Sequence, residues 1–190
     1  MFGHAVTKRR GASRFRAGRC DGSSRNRKGE TLEFTGAQVI KASRAEVWKR
    51  LNDPATFQRC LPGCEQYQQG DDGDYDAVIV AAVGPIKARF KGTARFTGHQ
   101  EGIGYHIEGS GSGGVAGFGK LGADIRLEDV DGGTSLHYVA AAQMGGKLAQ
   151  FGSRLVGSVA NKFLAEFFSR FEKLVSQEAS PGGALATSAE

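Results

Sequence analysis

The chain has 190 residues, 39% hydrophobic and 24% charged, with three cysteines and a formal net charge of +5. That length suits one domain with tails, the odd cysteine count argues against a secreted disulfide framework, and no apolar run approaches the roughly 18 residues that span a bilayer. The positive charge is localised. Residues 1–30 hold nine Lys/Arg against Asp21 and Glu30, a net +7, whereas residues 31–190 hold sixteen against eighteen, a net −2. The body is therefore mildly acidic, and the basic balance is no argument for nucleic-acid binding by it.

Residues 1–30 combine scattered Arg, Gly and Ser with few apolar positions, a composition that cannot offset its ordering entropy and reads as a disordered basic leader. The body then spans 31–176. Phe34, Val39 and Ile40 mark a first strand. Ser43 precedes Glu46 by three, a capping-box spacing, and Val47, Trp48 and Leu51 give the following helix its apolar face. Asn52-Asp53-Pro54 breaks it, and Pro54 opens a second short helix that Pro62-Gly63 stops.

Strands follow. Tyr75, Ala77, Ile79, Ala81 and Val83 share one face. From Ile86 to Phe96 small and apolar residues alternate with Lys87, Arg89, Lys91, Thr93 and Arg95, the period of two of an antiparallel strand with one wet face. Residues 104–113 repeat this more weakly. Leu121, Ala123, Ile125 and Leu127 alternate again, Asp131-Gly132-Gly133 makes a hairpin turn, and Leu136, Tyr138, Ala140, Ala142 and Met144 face inward. The period then changes. Leu148, Phe151, Leu155, Val159, Phe163, Phe167, Phe171 and Leu174 fall at spacings of three and four, one face of a helix from Lys147 to about Val175. Such a helix is roughly 43 Å long and must cross a whole sheet. Residues 177–190 read as a disordered tail. The fold class is α+β: a curved antiparallel sheet wrapped around a long C-terminal helix, with two short helices after the first strand.

Three motifs carry weaker chemistry. Cys60 and Cys64 flank Leu61-Pro62-Gly63 without a second pair or closely spaced histidines, so two half-buried thiols about a turn outweigh a redox pair or a metal clip. Gly109–Gly114 matches G-x-G-x-x-G, but a strand follows it where a dinucleotide site needs a helix. A glycine hairpin is expected, with a lid over a cavity as its functional variant. His99, His106 and His137 sit on strands without a nucleophile elbow, and surface histidines are the plainer reading.

The words EVWKRLNDPATFQRCLPGCEQ (46–66), VGPIKARFKG (83–92), GFGKLGADIRLE (117–128) and GGKLAQFGSRLVGSVANKFLAEFFSRF (145–171) resemble the CoxG family of carbon monoxide dehydrogenase proteins, which belongs to the START/Bet v 1-like helix-grip superfamily. The resemblance covers about 33–175. It implies an accessory protein of molybdenum-containing carbon monoxide dehydrogenases and related hydroxylases, linking enzyme to membrane. Some relatives carry a longer hydrophobic C-terminal extension, and this chain ends in a polar tail.

Small inward residues beside large ones, and Gly152 and Gly157 within the helix pattern at about 1 kcal/mol each relative to Ala, leave room for a guest. Close helix–sheet contact is the competing explanation. Tyr105, Tyr138, Gln143 and Gln150 are the few polar groups near that space, which suits a lipid-like or aromatic molecule. The expected ligand-binding residues are Phe57, Leu61, Phe90, Tyr105, Phe118, Tyr138, Ala142, Phe151, Gly152, Leu155 and Val159. Lys87, Arg89, Lys91 and Arg95 are either a solubilising stripe or a face docking an acidic partner or anionic lipid heads. No catalytic residue, metal or cofactor is expected. The reading is a non-enzymatic, cytoplasmic carrier or adaptor. Its expected partners are a hydrophobic small molecule, plausibly an isoprenoid quinone, a molybdenum hydroxylase and, peripherally, the inner face of the membrane. The alternatives are a cyclase- or hydratase-type enzyme using the same cavity and a protein–protein adaptor without a ligand.

Overall fold

A computed structural model describes residues 31–178; the leader and most of the tail read from the sequence lie outside the described residues. Strands β1 (Thr31–Ile40), β2 (Cys64–Gln69), β3 (Tyr75–Val83), β4 (Ile86–Gln100), β5 (Gly104–Ser112), β6 (Phe118–Val130) and β7 (Gly133–Gly145) form one antiparallel sheet in the order β1-β7-β6-β5-β4-β3-β2. Helices α1 (Arg44–Leu51) and α2 (Pro54–Cys60) follow β1, and α3 (Gly152–Glu178) ends the described chain. This is the expected α+β architecture, a curved antiparallel sheet around a long terminal helix.

The local signals act as their chemistry dictates. The Ser43 hydroxyl accepts the Glu46 backbone N–H at 3.3 Å and caps α1. Asp53 caps α2 by accepting the N–H and hydroxyl of Thr56, and the Thr56 hydroxyl bond holds the Asp53 carboxyl below its ordinary range. The Gly63 carbonyl then accepts the Val80 N–H at 2.8 Å, so the Pro-Gly stop stitches the end of α2 to β3.

The core sits at one end of the sheet. Phe167, Phe168, Phe171 and Val175 of α3 pack with Phe34 and Ile40 of β1, Val47 and Leu51 of α1, Cys60 of α2, and Leu127, Leu136 and Tyr138 of the sheet. The first half of α3 behaves differently. Leu155 is 37% exposed, and Val159 and Phe163 are only half-buried. A spacing of four overshoots the 3.6-residue turn by about 40° each time. Leu155, four such steps before Phe171, has rotated roughly 160° away from the buried face. The inward line is instead Gly157, Ala160 and Leu164, one flank over from the stripe expected.

The helix also starts later than expected. A single 3₁₀ turn, Leu148–Phe151, precedes it, and Lys147 lies before that turn. The break is at Gly152, with φ 71° and ψ 161°, a region essentially reserved for glycine. Gly152→Ala should therefore cost about 1–3 kcal/mol in urea unfolding, although a Cβ there would meet nothing within 4 Å. A neutral result would show that the turn relaxes freely.

Candidate ligand-binding groove

The register divides the sheet into two faces. Phe34, Phe90, Phe96, Tyr105, Ile107, Leu121, Ala123, Ile125, Tyr138, Ala140 and Ala142 lie on the face toward α3; Lys91, Thr93, Arg95, His106, Lys120, Asp124 and Gln143 lie on the other. At the α1/α2 end the inner face is filled by rings. Phe57 stacks on Tyr67 at 5.4 Å and meets Phe96 and Phe167 edge-on. Tyr67 stacks on Tyr75 at 4.9 Å. Tyr105 lies between Trp48, Phe96 and His99, and Tyr138 stacks on Phe168. Burial raises the phenols of Tyr67, Tyr105 and Tyr138 above their ordinary range, so they stay protonated donors. Their hydroxyls make no hydrogen bond within the described residues.

At the opposite end the inner face is open. Leu121 points toward α3 yet is 42% exposed. Its inward neighbours Gly109, Gly111 and Gly119 have no side chains to cover it. Gly157 is itself buried, and a Cβ built on it would meet nothing within 4 Å. Helical spacing puts that position on the same side as Leu164 and Phe171. A residue shielded from solvent with empty space along its side-chain direction marks a gap between helix and sheet. At the root of α3 the packing closes again, around a void of only about 10 Å³ bounded by Leu32, Met144, Leu148, Gly152 and Val156. Three connections frame the open end. The β3–β4 turn leans on α3, since Gly84 faces Leu155 and Phe151. The β5–β6 loop packs backbone to backbone on the β7–α3 connection, where a Cβ on Gly117 would collide with the Gly145 carbonyl oxygen. Of the glycine hairpin expected at 109–114, residues 109–112 are the end of β5; the turn lies at 113–117, closed by the Gly113 N–H donating to the Gly117 carbonyl at 2.8 Å.

The structure divides the residues expected to bind ligand. Phe57, Leu61, Tyr105 and Tyr138 belong to the packed aromatic end or border it. Phe90 and Ala142 lie on the inner face; Phe151 and Leu155 face the β3–β4 turn at Gly84, Gly152 bounds the closed root of α3, and the half-buried Val159 is turned away from the side of the helix that carries Gly157. Phe118 lies on the outer face, its ring across Gly145, and Gln143 is exposed on that face. Leu121 and Gly157 are the additions. Strand alternation turns Leu121 inward without marking it as a wall, and Gly157 can be aimed only once the helix phase is known. Of the four basic residues on β4, Arg95 is held by Asp74 through bonds of 2.6 to 3.0 Å and Arg89 pairs with Glu65. Lys87 and Lys91 have no ion pair among the described residues.

Cys60 is fully buried at the end of α2, and burial pushes its thiol up to about 11; the half-buried Cys64 opens β2, and burial raises its thiol too. Both are free, and no cluster of three metal-ligating side chains occurs among the described residues. Iodoacetamide at pH 8 should therefore label Cys64 well before Cys60, with Cys60 reacting only as the protein unfolds. Equal labelling rates in native protein, read by peptide mass spectrometry, would contradict this burial.

A sheet gripping a long helix with an open interior at one end defines the protein as a helix-grip protein of the Bet v 1/START type. The chain belongs to the CoxG family of carbon monoxide dehydrogenase subunits, whose sequence signature matches residues 36–176. A conserved protein from Geobacillus kaustophilus is similar in structure, with TM-score 0.73 and 28% identity, covering 77% of this chain and 97% of that one. An aromatase/cyclase from Streptomyces sp. R1128 has TM-score 0.59 and 10% identity over 81% of this chain and 99% of its own. Ara h 8.0201 has TM-score 0.55 and 14% identity over 78% and 99%; these two likenesses concern the fold alone. No curated protein matches the chain. Family and fold together support a role in binding a hydrophobic ligand. No helix among the described residues is long and apolar enough to cross a membrane.

Proposed function

We propose that this protein carries an apolar molecule with a small polar head, an isoprenoid quinone being the best-fitting class, without transforming it. It would thereby link a molybdenum-containing carbon monoxide dehydrogenase or related hydroxylase to the membrane. The observation that carries this is the uncovered inner face at the open end, where inward-pointing Leu121 meets solvent and the space before Gly157 is empty. The inner face is mainly apolar, its polar groups being the tyrosine hydroxyls, Gln38, Gln69 and Thr134, and no carboxylate or imidazole borders its open end among the described strands. His99 lies exposed at the other end, beside Tyr105. Protonated phenols without protein partners, none of them sealed from solvent, can exchange a water for the carbonyl oxygen of such a head. A carrier needs this and little more: apolar area for the tail and one or two donors for orientation. The family's name supplies the enzyme partner.

The test is native mass spectrometry of the protein after incubation with a membrane lipid extract, followed by identification of the retained mass. A one-to-one adduct with an isoprenoid quinone supports the reading. Turnover of the adduct to a new mass would favour an enzyme instead, and retention of no apolar molecule would favour an adaptor without ligand.

A further inference from the structure

Antiparallel hairpins put alternate turns at opposite ends of the sheet, and here that separates charge. The β2–β3, β4–β5 and β6–β7 connections share one end. They bring four aspartates between Asp71 and Asp76, then Glu101, then Glu128, Asp129 and Asp131. The β3–β4, β5–β6 and β7–α3 connections share the other end, the open one. Residues 77–100, 109–123 and 132–165, which centre on them, contain no acidic residue at all. They carry eight cations: Arg89 and Arg95 are paired with Glu65 and Asp74, and Lys87, Lys91, Lys120, Lys147, Arg154 and Lys162 have no ion pair among the described residues. Two apolar side chains stand out among these cations. Val115, at the tip of the β5–β6 loop, is 87% exposed, and Phe118, beside it, is 51% exposed. Phe118 shares its strand and face with Lys120, two residues on, and lies in one cross-strand row with Lys91, through Ser112. Thr31, where the net +7 of residues 1–30 joins the body, is paired with Gln143 at this same end.

We infer that the open end is a bilayer-docking face. Val115 and Phe118 enter the headgroup region of an anionic membrane, while Lys87, Lys91, Lys120, Lys147 and Arg154 meet its phosphates. Cations surrounding protruding apolar tips match a surface that is negative outside and apolar beneath. A solvated face gains nothing from an exposed Phe. The inference rests on the carrier reading and deepens it, since the groove then opens toward the membrane and its guest need not cross water. It also relocates the docking surface from the β4 stripe, two of whose cations are already neutralised, to the rim of the groove.

The test uses the full chain, flotation with phosphatidylcholine vesicles with and without phosphatidylglycerol, and three double variants: Lys120→Glu with Lys147→Glu, Val115→Ser with Phe118→Ser, and Arg89→Ala with Arg95→Ala. The wild type should float only with the anionic vesicles. The lysine reversals should weaken that at least about 25-fold, from roughly fivefold for each cation lost at the surface. The serine pair should weaken it at least about tenfold, and the arginine pair little. Uptake of an environment-sensitive apolar dye, measured without vesicles, decides the carrier reading separately and should survive in all three variants. Vesicle binding that persists through the lysine reversals would overturn the proposal by assigning it to residues 1–30. So would equal binding to neutral vesicles, or variants that lose only an acidic protein partner.

Discussion

Gly157→Phe should abolish uptake of an apolar dye while leaving the melting temperature of the ligand-free protein unchanged or raised. A Cβ at Gly157 has nothing within 4 Å, and its backbone, unlike that of Gly152, carries no positive φ. Replacing a helical glycine recovers part of its roughly 1 kcal/mol propensity deficit. A phenyl ring buried in formerly open space adds about 1.5–3 kcal/mol of favourable transfer. Were the interior filled, the same ring would cost about 1–3 kcal/mol through overpacking. Melting and dye binding measured on one sample separate the cases. A strongly destabilised variant that binds dye normally would remove the guest site from this position.

Phe171→Ala should cost about 3–5 kcal/mol, a fall of roughly 10 °C in melting temperature for a domain of this size. Phe171 is 1% exposed, stacks on Phe167 at 6.0 Å, and joins α3 to β1, α1 and the sheet in one cluster. Leu155→Ala should cost only about 1 kcal/mol, because a leucine already 37% exposed has less transfer free energy to lose. It should leave dye binding little changed, since Leu155 lies on the side of α3 opposite Gly157 and touches the β3–β4 turn at Gly84. The two substitutions thus separate the end of α3 that holds the fold together from the end that leaves room. Equal costs at the two positions would mean that the helix packs uniformly along its length.

The stretches most readable from sequence are those governed by local chemistry. Ser43 is spaced from Glu46 as a helix cap is, Pro54 suits a first helical turn, Pro62-Gly63 stops a helix, and the alternation from Ile86 to Phe96 has one strand solution. These short-range constraints, with the CoxG words spread over the body, determined the order of elements, the antiparallel sheet and the family. The candidate groove was legible only in outline, as an excess of Ala and Gly at inward positions.

Its location depended on quantities that no local window contains. The drift between a four-residue repeat and a 3.6-residue turn, accumulated from Phe171 back to Leu155, turned the expected stripe aside and brought Gly157 inward. Phe118 follows strand alternation to the outer face, although its composition neighbourhood suggested the cavity. Arg89 and Arg95 read as free charges until folding set Glu65 and Asp74 beside them. The separation of acidic and basic ends is written in the sequence as acid-free windows. It acquires meaning only when alternate hairpins are known to point opposite ways, because charge asymmetry is a property of positions in space, and the sheet topology assigns those positions.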